Sequence, residues 1–165
     1  MCSDYLFREA TLDDLPLIFK WTKALMEHES LDAKLELPLT NNISELLEDW
    51  LRNLISDKNS LIIITTQSTE TKPLGLIIGY LQVQPNNFTV FEMHGVIQMV
   101  WVDQEYRRKG LARLLVNHME DTFQNLKVPY CEIQYSSSNV EAKAFWKKAG
   151  YEVTSVTCRK LFSKS

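Results

Sequence analysis

The chain has 165 residues, of which 45% are hydrophobic and 24% are charged, values typical of one globular domain with its own core. Its three cysteines form no CxxC pair, which argues against a disulfide framework and against a zinc site. The net charge of −3 disfavours a general nucleic-acid binder.

No targeting or membrane segment is evident. The first residues carry no basic stretch before an apolar run, and apolar runs such as 61–64 and 74–81 are far too short to span a bilayer. We therefore expect a cytoplasmic protein with a single domain over residues 1–165, no bound metal, and neither membrane nor nucleic acid as a partner.

The charges are distributed unevenly. Residues 1–60 hold 12 acidic and 6 basic side chains, whereas residues 61–165 hold 9 acidic and 12 basic ones. An acidic front half and a basic back half would suit a cationic substrate and an anionic cofactor. Random scatter over the surface explains the same counts equally well.

The first 60 residues predict one strand and two helices. Residues 5–10 have a strand pattern, and Thr11 and the Asp13-Asp14 pair are candidate N-caps for the helix that follows. Apolar residues then recur at helical spacing, and a second helix is expected from near Asn42 or Ser44. Residues 29–40 have no clear period and are predicted to form a loop.

The middle of the chain predicts three strands. Residues 61–66 and 74–84 are strand-like by β-branching and apolar content, and a polar turn is expected at 67–72. Pro85-Asn86-Asn87 indicates a hairpin turn. The returning strand, 88–102, is long enough that a bulge or bend is expected.

The last third alternates helix and strand. Gly110 opens a predicted helix, and residues 128–135 form a predicted strand. Asn139 is a good N-cap for a second helix that ends at Gly150, and residues 151–162 are predicted as a final strand. The order β-α-α-β-β-β-α-β-α-β indicates one α/β domain with a mixed sheet.

A basic loop, Arg107-Arg108-Lys109-Gly110, joins a predicted strand directly to an amphipathic helix. The start of a helix presents unpaired N–H groups and a positive dipole end, which together attract anions. Gly110 would let the backbone approach a ligand closely. A solvated turn or a small nucleic-acid or nuclear-localisation patch is the alternative. A Walker loop and a dinucleotide fingerprint are excluded by the glycine pattern.

These residues resemble a known family. The run Arg107-Arg108-Lys109-Gly110-Leu111-Ala112 matches the [RQ]-x-x-G-x-[GA] signature of the GNAT superfamily of N-acetyltransferases. Residues 139–151 resemble its second cofactor motif, N-x-x-A-x-x-[FL]-Y-x-x-x-G-[FY], and residues 8–14 resemble its opening strand and helix start. The motifs follow one another in the family's order.

The resemblance implies an α/β fold whose mixed, mostly antiparallel sheet has splayed central parallel strands and is flanked by helices. It implies acetyl-CoA as co-substrate, with the pantetheine arm in the gap between residues 100–102 and 130–135. A small-molecule or peptide amine would be the acceptor, and a homodimer is the assembly expected from the family. The implied cofactor-binding residues are Val100, Trp101, Val102, Arg107, Arg108, Lys109, Gly110, Leu111, Ala112, Asn139 and Trp146.

Trp146 departs from the family pattern. It stands where the family commonly has a tyrosine that serves as general acid toward the leaving thiolate, and an indole N–H is no proton source near pH 7. Trp146 is therefore expected to line the cofactor channel. Because a thiol with a pKa of about 8.5 leaves tolerably as a thiolate, acid help is dispensable. Solvent, Tyr106 or Tyr135 are the alternative acids.

The reaction also needs a base, because a primary ammonium has a pKa of about 10.4. Glu92 and His94 share one face of the predicted strand 88–102 by its period of two, unless a bulge intervenes. A structural role is the alternative for His94. The N–H near Val100 would polarise the thioester carbonyl. The predicted catalytic residues are Glu92, His94 and Tyr135.

The main hypothesis is acetyl or acyl transfer from acyl-CoA to a primary amine by direct attack in a ternary complex. Side chains of the first two helices, among them Trp21, Glu27 and His28, would select the amine, although a solvated face explains them too. Trp146 motivates an alternative, a catalytically weak regulatory module that binds acyl-CoA. A nucleic-acid contact through residues 107–109 is the third hypothesis, and the net charge disfavours it.

Overall fold

The computed structural model describes residues 5–32, 39–68, 70–85, 88–160 and 162. Five strands and four helices follow one another in these residues. In chain order they are β1 (Tyr5–Glu9), α1 (Leu15–Asp32), α2 (Ile43–Ser56), β2 (Ser60–Gln67), β3 (Glu70–Val83), β4 (Met93–Val102), α3 (Leu111–Asn125), β5 (Cys131–Ile133) and α4 (Val140–Lys148). Within this part of the chain, no helix has both the length and the apolar character needed to cross a membrane.

The strands form one sheet in the order β1-β2-β3-β4-β5. All neighbours are antiparallel except β4 and β5, which run parallel. The β4–β5 pairing extends only from Gly95↔Cys131 to Ile97↔Ile133, whereas β4 continues to Val102. The predicted mixed, mostly antiparallel sheet with splayed parallel strands and flanking helices is thereby confirmed.

Two apolar clusters cover the two faces of the sheet. On one face, Leu115, Met119 and Phe123 of α3 pack on the strands. On the other, α1 and α2 contribute residues such as Ile18 and Leu51. Because both faces of the central strands are buried, β2 and β3 have nearly continuous apolar runs instead of an alternating pattern.

A β-bulge interrupts β4 at Gln98. Ile78 of β3 pairs with Met99 and the next residue, Gly79, pairs with Ile97, so that Gln98 has no partner on β3. The extra residue resets the alternation, since Ile97 and Val100 lie in the same cluster although they are three positions apart. The bend predicted in this strand is therefore a bulge, placed where β4 and β5 begin to part.

Two predicted connections are wrong in their bounds. Helix α1 continues to Asp32, into the predicted loop 29–40, whose residues 33–38 lie outside the described chain. Strand β3 begins at Glu70, within the predicted turn 67–72. The ladder with β2 explains the second difference, because Gln67 pairs with Glu70 across a very short turn.

Strand β4 begins at Met93, so the prediction of a strand from residue 88 is wrong. The Thr89 hydroxyl donates to the carbonyl of Phe91 (3.0 Å), and such a local bond competes with a ladder. The hairpin residues Asn86 and Asn87 lie outside the described chain. The residues on either side of the connection between β3 and β4 are joined, because the N–H of Gln84 donates to the carbonyl of Glu92 (2.8 Å).

The later strands are also shorter than predicted. Strand β5 covers only Cys131–Ile133 of the predicted 128–135. Residues 151–160 and 162 lie in no strand, so the predicted final strand is wrong for these residues. Their apolar side chains, such as Val153 and Val156, are exposed. Strand propensity needs a neighbour to pack against, and no described strand pairs with this segment.

The start of the first helical segment depends on Asp14. Its carboxylate accepts hydrogen bonds from the N–H of Thr11 (2.8 Å) and from both terminal nitrogens of Arg8 (2.7 and 2.8 Å). The hydrogen bond from Arg8 lowers the pKa of Asp14 below its usual value. The ionised carboxylate therefore stabilises the folded state.

We expect Asp14→Asn to lower the free energy of unfolding by about 1 kcal/mol at pH 7, as loss of a helix-start hydrogen bond does. Because the folded pKa is depressed, this contribution is complete above the unfolded pKa of about 3.9 and is lost as pH falls through the folded value. Urea titrations between pH 7 and pH 3 measure it. Exposed Asp13→Asn is the control; an equal effect there would contradict the assignment.

Gly95 is required by packing. A Cβ at this position would lie 2.6 Å from Cδ2 of Phe123, whose ring is buried under α3. We expect Gly95→Ala to destabilise the fold by about 1–3 kcal/mol through overpacking. Phe123→Leu in the Gly95→Ala background should recover part of that loss, measured by thermal unfolding. Purely additive effects of the two substitutions would contradict the steric cause.

Candidate functional site

The free edge of β4 faces the gap that opens beyond β5. The N–H of Asp103 donates to the carbonyl of Leu74 on β3 (2.8 Å). Because peptide groups of successive residues point to opposite edges of a strand, those of Val102 and Val100 point away from β3, toward the gap. A ligand lying in the gap could therefore bond to Val100 as a further strand would.

Arg107 folds back onto the end of β4. Its Nε donates to the carbonyl of Val102 (2.9 Å), and its guanidinium lies 4.7 Å from the centroid of the Trp101 ring. Trp101 itself packs in the cluster under α1 and α2, and its peptide group faces β3. Two predicted cofactor-binding residues, Arg107 and Trp101, thus fix the loop to the strand.

The loop between β4 and α3 exposes backbone amides. Arg108 has φ 60° and Gly110 has φ 83°, both in the left-handed region. Such turns direct neighbouring N–H groups to one side and form an anion-binding nest. Gly110 is the N-cap of α3, and no side chain caps the helix. A Cβ on Gly110 would meet no atom within 4 Å, so space is open beside these amides.

The start of α4 is capped, in contrast to α3. The Oδ1 of Asn139 accepts a hydrogen bond from the N–H of Ala142 (2.9 Å). The predicted N-cap role of Asn139 is therefore confirmed. Both amide N–H groups of this side chain and the second lone pair of Oδ1 are left for contact with a ligand.

Basic side chains border the uncapped helix start. The Nζ of Lys109 lies 5.0 Å from the centroid of the Tyr106 ring. A guanidinium nitrogen of Arg108 lies 3.5 Å from Glu141 in the first turn of α4, and both side chains are 84–90% exposed. Exposed ion pairs are weak, so Arg108 can exchange Glu141 for a stronger anion. This contact also shows that the starts of α3 and α4 are adjacent.

Trp146 is a core residue. It is 8% exposed and packs edge to face against Phe145 (4.9 Å) and Tyr151 (5.0 Å between ring centroids). Tyr135 is half-buried against the same cluster, on the α3 side of the sheet. Trp146 therefore packs on its own neighbours in sequence, whereas Tyr135 joins the cluster from the segment after β5.

His94 is buried in a polar cluster that the sequence did not reveal. It is 4% exposed and stacks on Tyr130, with 5.0 Å between ring centroids. Its Nδ1 lies 3.1 Å from Nε2 of Gln84, whose amide also donates to the Tyr130 hydroxyl. With that amide as donor, Nδ1 accepts and Nε2 carries the proton. Nε2 lies 3.5 Å from a carboxylate oxygen of Glu132.

Glu92 lies apart from this cluster. It is exposed and precedes the first residue of β4, so the prediction that it shares a strand face with His94 is wrong. The bend at Thr89–Phe91 ends the strand geometry on which that prediction depended. Glu132 was missed because only the long-range pairing of β4 with β5 brings it to His94.

A cleft of about 410 Å³ opens between α1 and the segment that follows β4. Its lining residues are Ala24, Glu27, His28, Trp101, Gln104 and Arg107. Two of the predicted amine-selecting residues, Glu27 and His28, lie here. Trp21 is buried in the cluster under α1 and α2, so its prediction is wrong. Burial raises the pKa of Glu29, on the same helix.

Cys131 faces α3 from β5. Burial raises the pKa of its thiol to about 11. The thiol is therefore protonated at neutral pH and is a poor nucleophile. This position offers no covalent acyl carrier beside the gap.

Three solved structures share this fold. A GCN5-related N-acetyltransferase from Ralstonia eutropha JMP134 is 16% identical, with a TM-score of 0.78 over 96% of this chain and 99% of that one. A predicted acetyltransferase from Clostridium acetobutylicum, solved with acetyl-CoA, is 14% identical, with a TM-score of 0.76 over 96% of each chain. The aminoglycoside acetyltransferase meta-AAC0020 from an uncultured soil metagenomic sample, in complex with sisomicin, is 14% identical, with a TM-score of 0.67 over 98% and 97%.

No curated protein matches the sequence. Residues 22–151, which contain the basic loop, the uncapped start of α3 and the start of α4, match the Acetyltransferase (GNAT) family. This match covers most of the chain and agrees with the shared fold. The chain therefore belongs to the acetyltransferase (GNAT) family.

Proposed function

We propose that the chain transfers an acetyl or related acyl group from acyl-CoA to a primary amine of a small molecule or peptide, by direct attack in a ternary complex. One observation carries the proposal: the uncapped start of α3, with Gly110 in a left-handed conformation, follows a loop that Arg107 fastens to Val102, at the end of the β4 edge that β5 leaves unpaired. A diphosphate and an amide-containing arm would need these two features side by side.

The diphosphate would bind to backbone amides of the loop and of the first turn of α3. Arg108, Lys109, Gly110, Leu111 and Ala112 supply them. The helix dipole favours an anion there, and the open space at Gly110 accommodates it. Arg108 and Lys109 add charge, whereas Arg107 would act mainly by holding the loop against Val102.

The pantetheine arm would extend along the free edge of β4. The N–H and C=O of Val100 are its proposed partners, and the carbonyl of Val102 is already held by Arg107. The side-chain amide N–H of Asn139, at the start of α4, would donate a hydrogen bond to the pantetheine arm. Trp146 would support the channel from the core, because little of its surface is exposed.

Direct attack fits the chemistry of the gap better than a covalent relay. The thiol of Cys131 is neutral at physiological pH, since its pKa is raised to about 11. The N–H of Val100 would polarise the thioester carbonyl as an oxyanion donor does. Tyr135, half-buried on the α3 side, is the candidate acid for the departing thiolate, with solvent as its substitute.

Of the two predicted bases, His94 fits the geometry better than Glu92. His94 lies in a defined hydrogen-bond cluster, whereas Glu92 is exposed and outside the strand. The cleft beside Glu27 and His28 would receive the body of the acceptor. A polyamine or aminoglycoside is the proposed acceptor class, since Glu27 contributes a carboxylate to the lining and a structural neighbour was solved with sisomicin. A homodimer stays a prediction.

The second candidate function is a regulatory module that binds acyl-CoA with weak turnover. The buried indole of Trp146 in the position of a general acid favours it. Both functions use the same cofactor loop, so binding and turnover must be measured separately.

We expect Gly110→Ala and Arg108→Glu each to raise the acetyl-CoA dissociation constant at least about tenfold, equivalent to about 1.4 kcal/mol. Gly110→Ala puts a Cβ on a residue whose backbone is in the left-handed region, and Arg108→Glu reverses a charge of the loop. Calorimetry measures the affinity. Gly150→Ala is the matched control, because Gly150 also has positive φ and open space but lies after α4. Unchanged affinity in both loop variants would show that the loop is misassigned.

Turnover is expected with at least one amine of a panel comprising sisomicin, spermidine and a short peptide with a free α-amine. Release of CoA thiol, followed by mass spectrometry for an added acetyl group on the amine, measures it. Tight acetyl-CoA binding without any acetylated amine would support the regulatory module in place of the enzyme.

A further inference from the structure

We propose that Glu132 binds the ammonium group of the acceptor and takes its proton, and that His94 is the positioning residue that orients Glu132. This inference rests on the proposed function and assigns its base. Sequence reasoning did not suggest Glu132, and the packing of β5 against β4 is what points to it.

The position of the thioester follows from where the gap between β4 and β5 closes, at the pair Ile97 and Ile133. Hydrogen-bonded pairing between β4 and β5 resumes at Ile97 and Ile133, so an arm entering from the start of α3 can extend no further than these residues. The thioester would therefore lie near the bulge at Gln98 and the end of β5. Glu132 directly precedes Ile133.

Glu132 projects to the face on which the acceptor cleft opens. Its neighbours Cys131 and Ile133 pack in the cluster under α3, and successive strand residues point to opposite faces. The same side of the sheet carries Trp101, which lines the cleft at α1. A carboxylate on this face can contact an amine that is bound on the same side of the sheet.

Distances along the strands favour Glu132 over the predicted bases. At about 3.3 Å per residue, Glu132 is about 3 Å from the closing pair. His94 is about 10 Å from Ile97, and Glu92 would be about 17 Å away even if the strand continued to it. A base must reach the proton directly or through one water, and of these three residues Glu132 combines the Cα nearest the closing pair with an exposed side chain.

Exposure separates the roles of the two partners. The side chain of Glu132 is 55% exposed and that of His94 is 5% exposed. His94 therefore cannot touch a substrate, but its Nε2 lies 3.5 Å from the Glu132 carboxylate. Stacking on Tyr130 and the contact with Gln84 hold the imidazole in place. A buried ring held by these contacts can limit the positions that the exposed Glu132 carboxylate takes.

The proposed reaction transfers the acyl group in one addition and one elimination step. The ammonium passes one proton to Glu132, and the freed nitrogen lone pair forms the C–N bond at the thioester carbonyl carbon. The carbonyl π pair moves to oxygen and returns as the C–S bond breaks and thiolate leaves. The new amide nitrogen loses its second proton, and the thiolate takes one proton to become CoA thiol. Glu132 returns its proton to solvent.

The groups that can titrate around this site are few among the described residues. His94 contacts Glu132, and Tyr130 stacks on His94. Cys131, next in sequence, faces the opposite side as a neutral thiol.

We expect Glu132→Gln to lower kcat/KM for spermidine and sisomicin about 100-fold at pH 7, within the range for removal of a general base. It should also raise KM for the amine and leave the acetyl-CoA dissociation constant unchanged. The deficit should shrink as pH rises to 9.5, because more amine is then already deprotonated. A merely structural role would not produce that recovery. Glu152→Gln, at an exposed position outside the site, is the matched control.

His94→Gln should give a smaller deficit than Glu132→Gln and little further loss when combined with it, because both act through one group. Circular dichroism checks that His94→Gln is folded. Glu132→Asp keeps the carboxylate and should retain part of the activity. If the wild type acetylates an amine and Glu132→Gln matches it at pH 7, the Glu132 assignment is overturned and the proposed function stands. If the wild type binds acetyl-CoA but acetylates none of the three panel amines, the proposed function and the Glu132 assignment are both overturned.

Discussion

The parting of β4 from β5 is the constraint on which the site depends. Two parallel strands normally satisfy each other's backbone groups along their whole length, and an unpaired edge invites a partner. Here the ladder stops at Ile97 and Ile133 while β4 continues for five more residues. The bulge at Gln98 makes this divergence stable, because it keeps β4 paired with β3 while re-aiming the residues beyond it.

The loop that follows β4 keeps this opening aligned with the start of α3. Arg107 ties the loop to the carbonyl of Val102 and stacks on Trp101, so the chain turns sharply without a capping side chain. Leaving α3 uncapped costs stability unless another acceptor satisfies its first N–H groups. The start of α4 differs, since Asn139 caps it, and the open amides at Gly110 are the ones to which the proposed diphosphate would bind.

Local signals in the sequence were sufficient for most elements and for the helix start at Gly110. The caps at Thr11 and Asn139 and the glycine at 110 each depend on neighbours within four residues, and all were found where expected. Glu132 escaped notice because its significance comes from His94, and only strand pairing joins them. The predicted strand at 151–162 failed for the opposite reason: its pattern was present, but no described strand pairs with it.

The two faces of the sheet are built from parts of the chain with different net charge. The face under α3 holds neutral groups near the gap, including the Cys131 thiol and the Trp146 indole. The face under α1 and α2 is built largely from residues 1–60, which hold 12 acidic against 6 basic side chains. The positive loop comes from the second half. An anionic thioester and a cationic amine would therefore approach the end of β5 from different sides, and each would meet charge of the opposite sign.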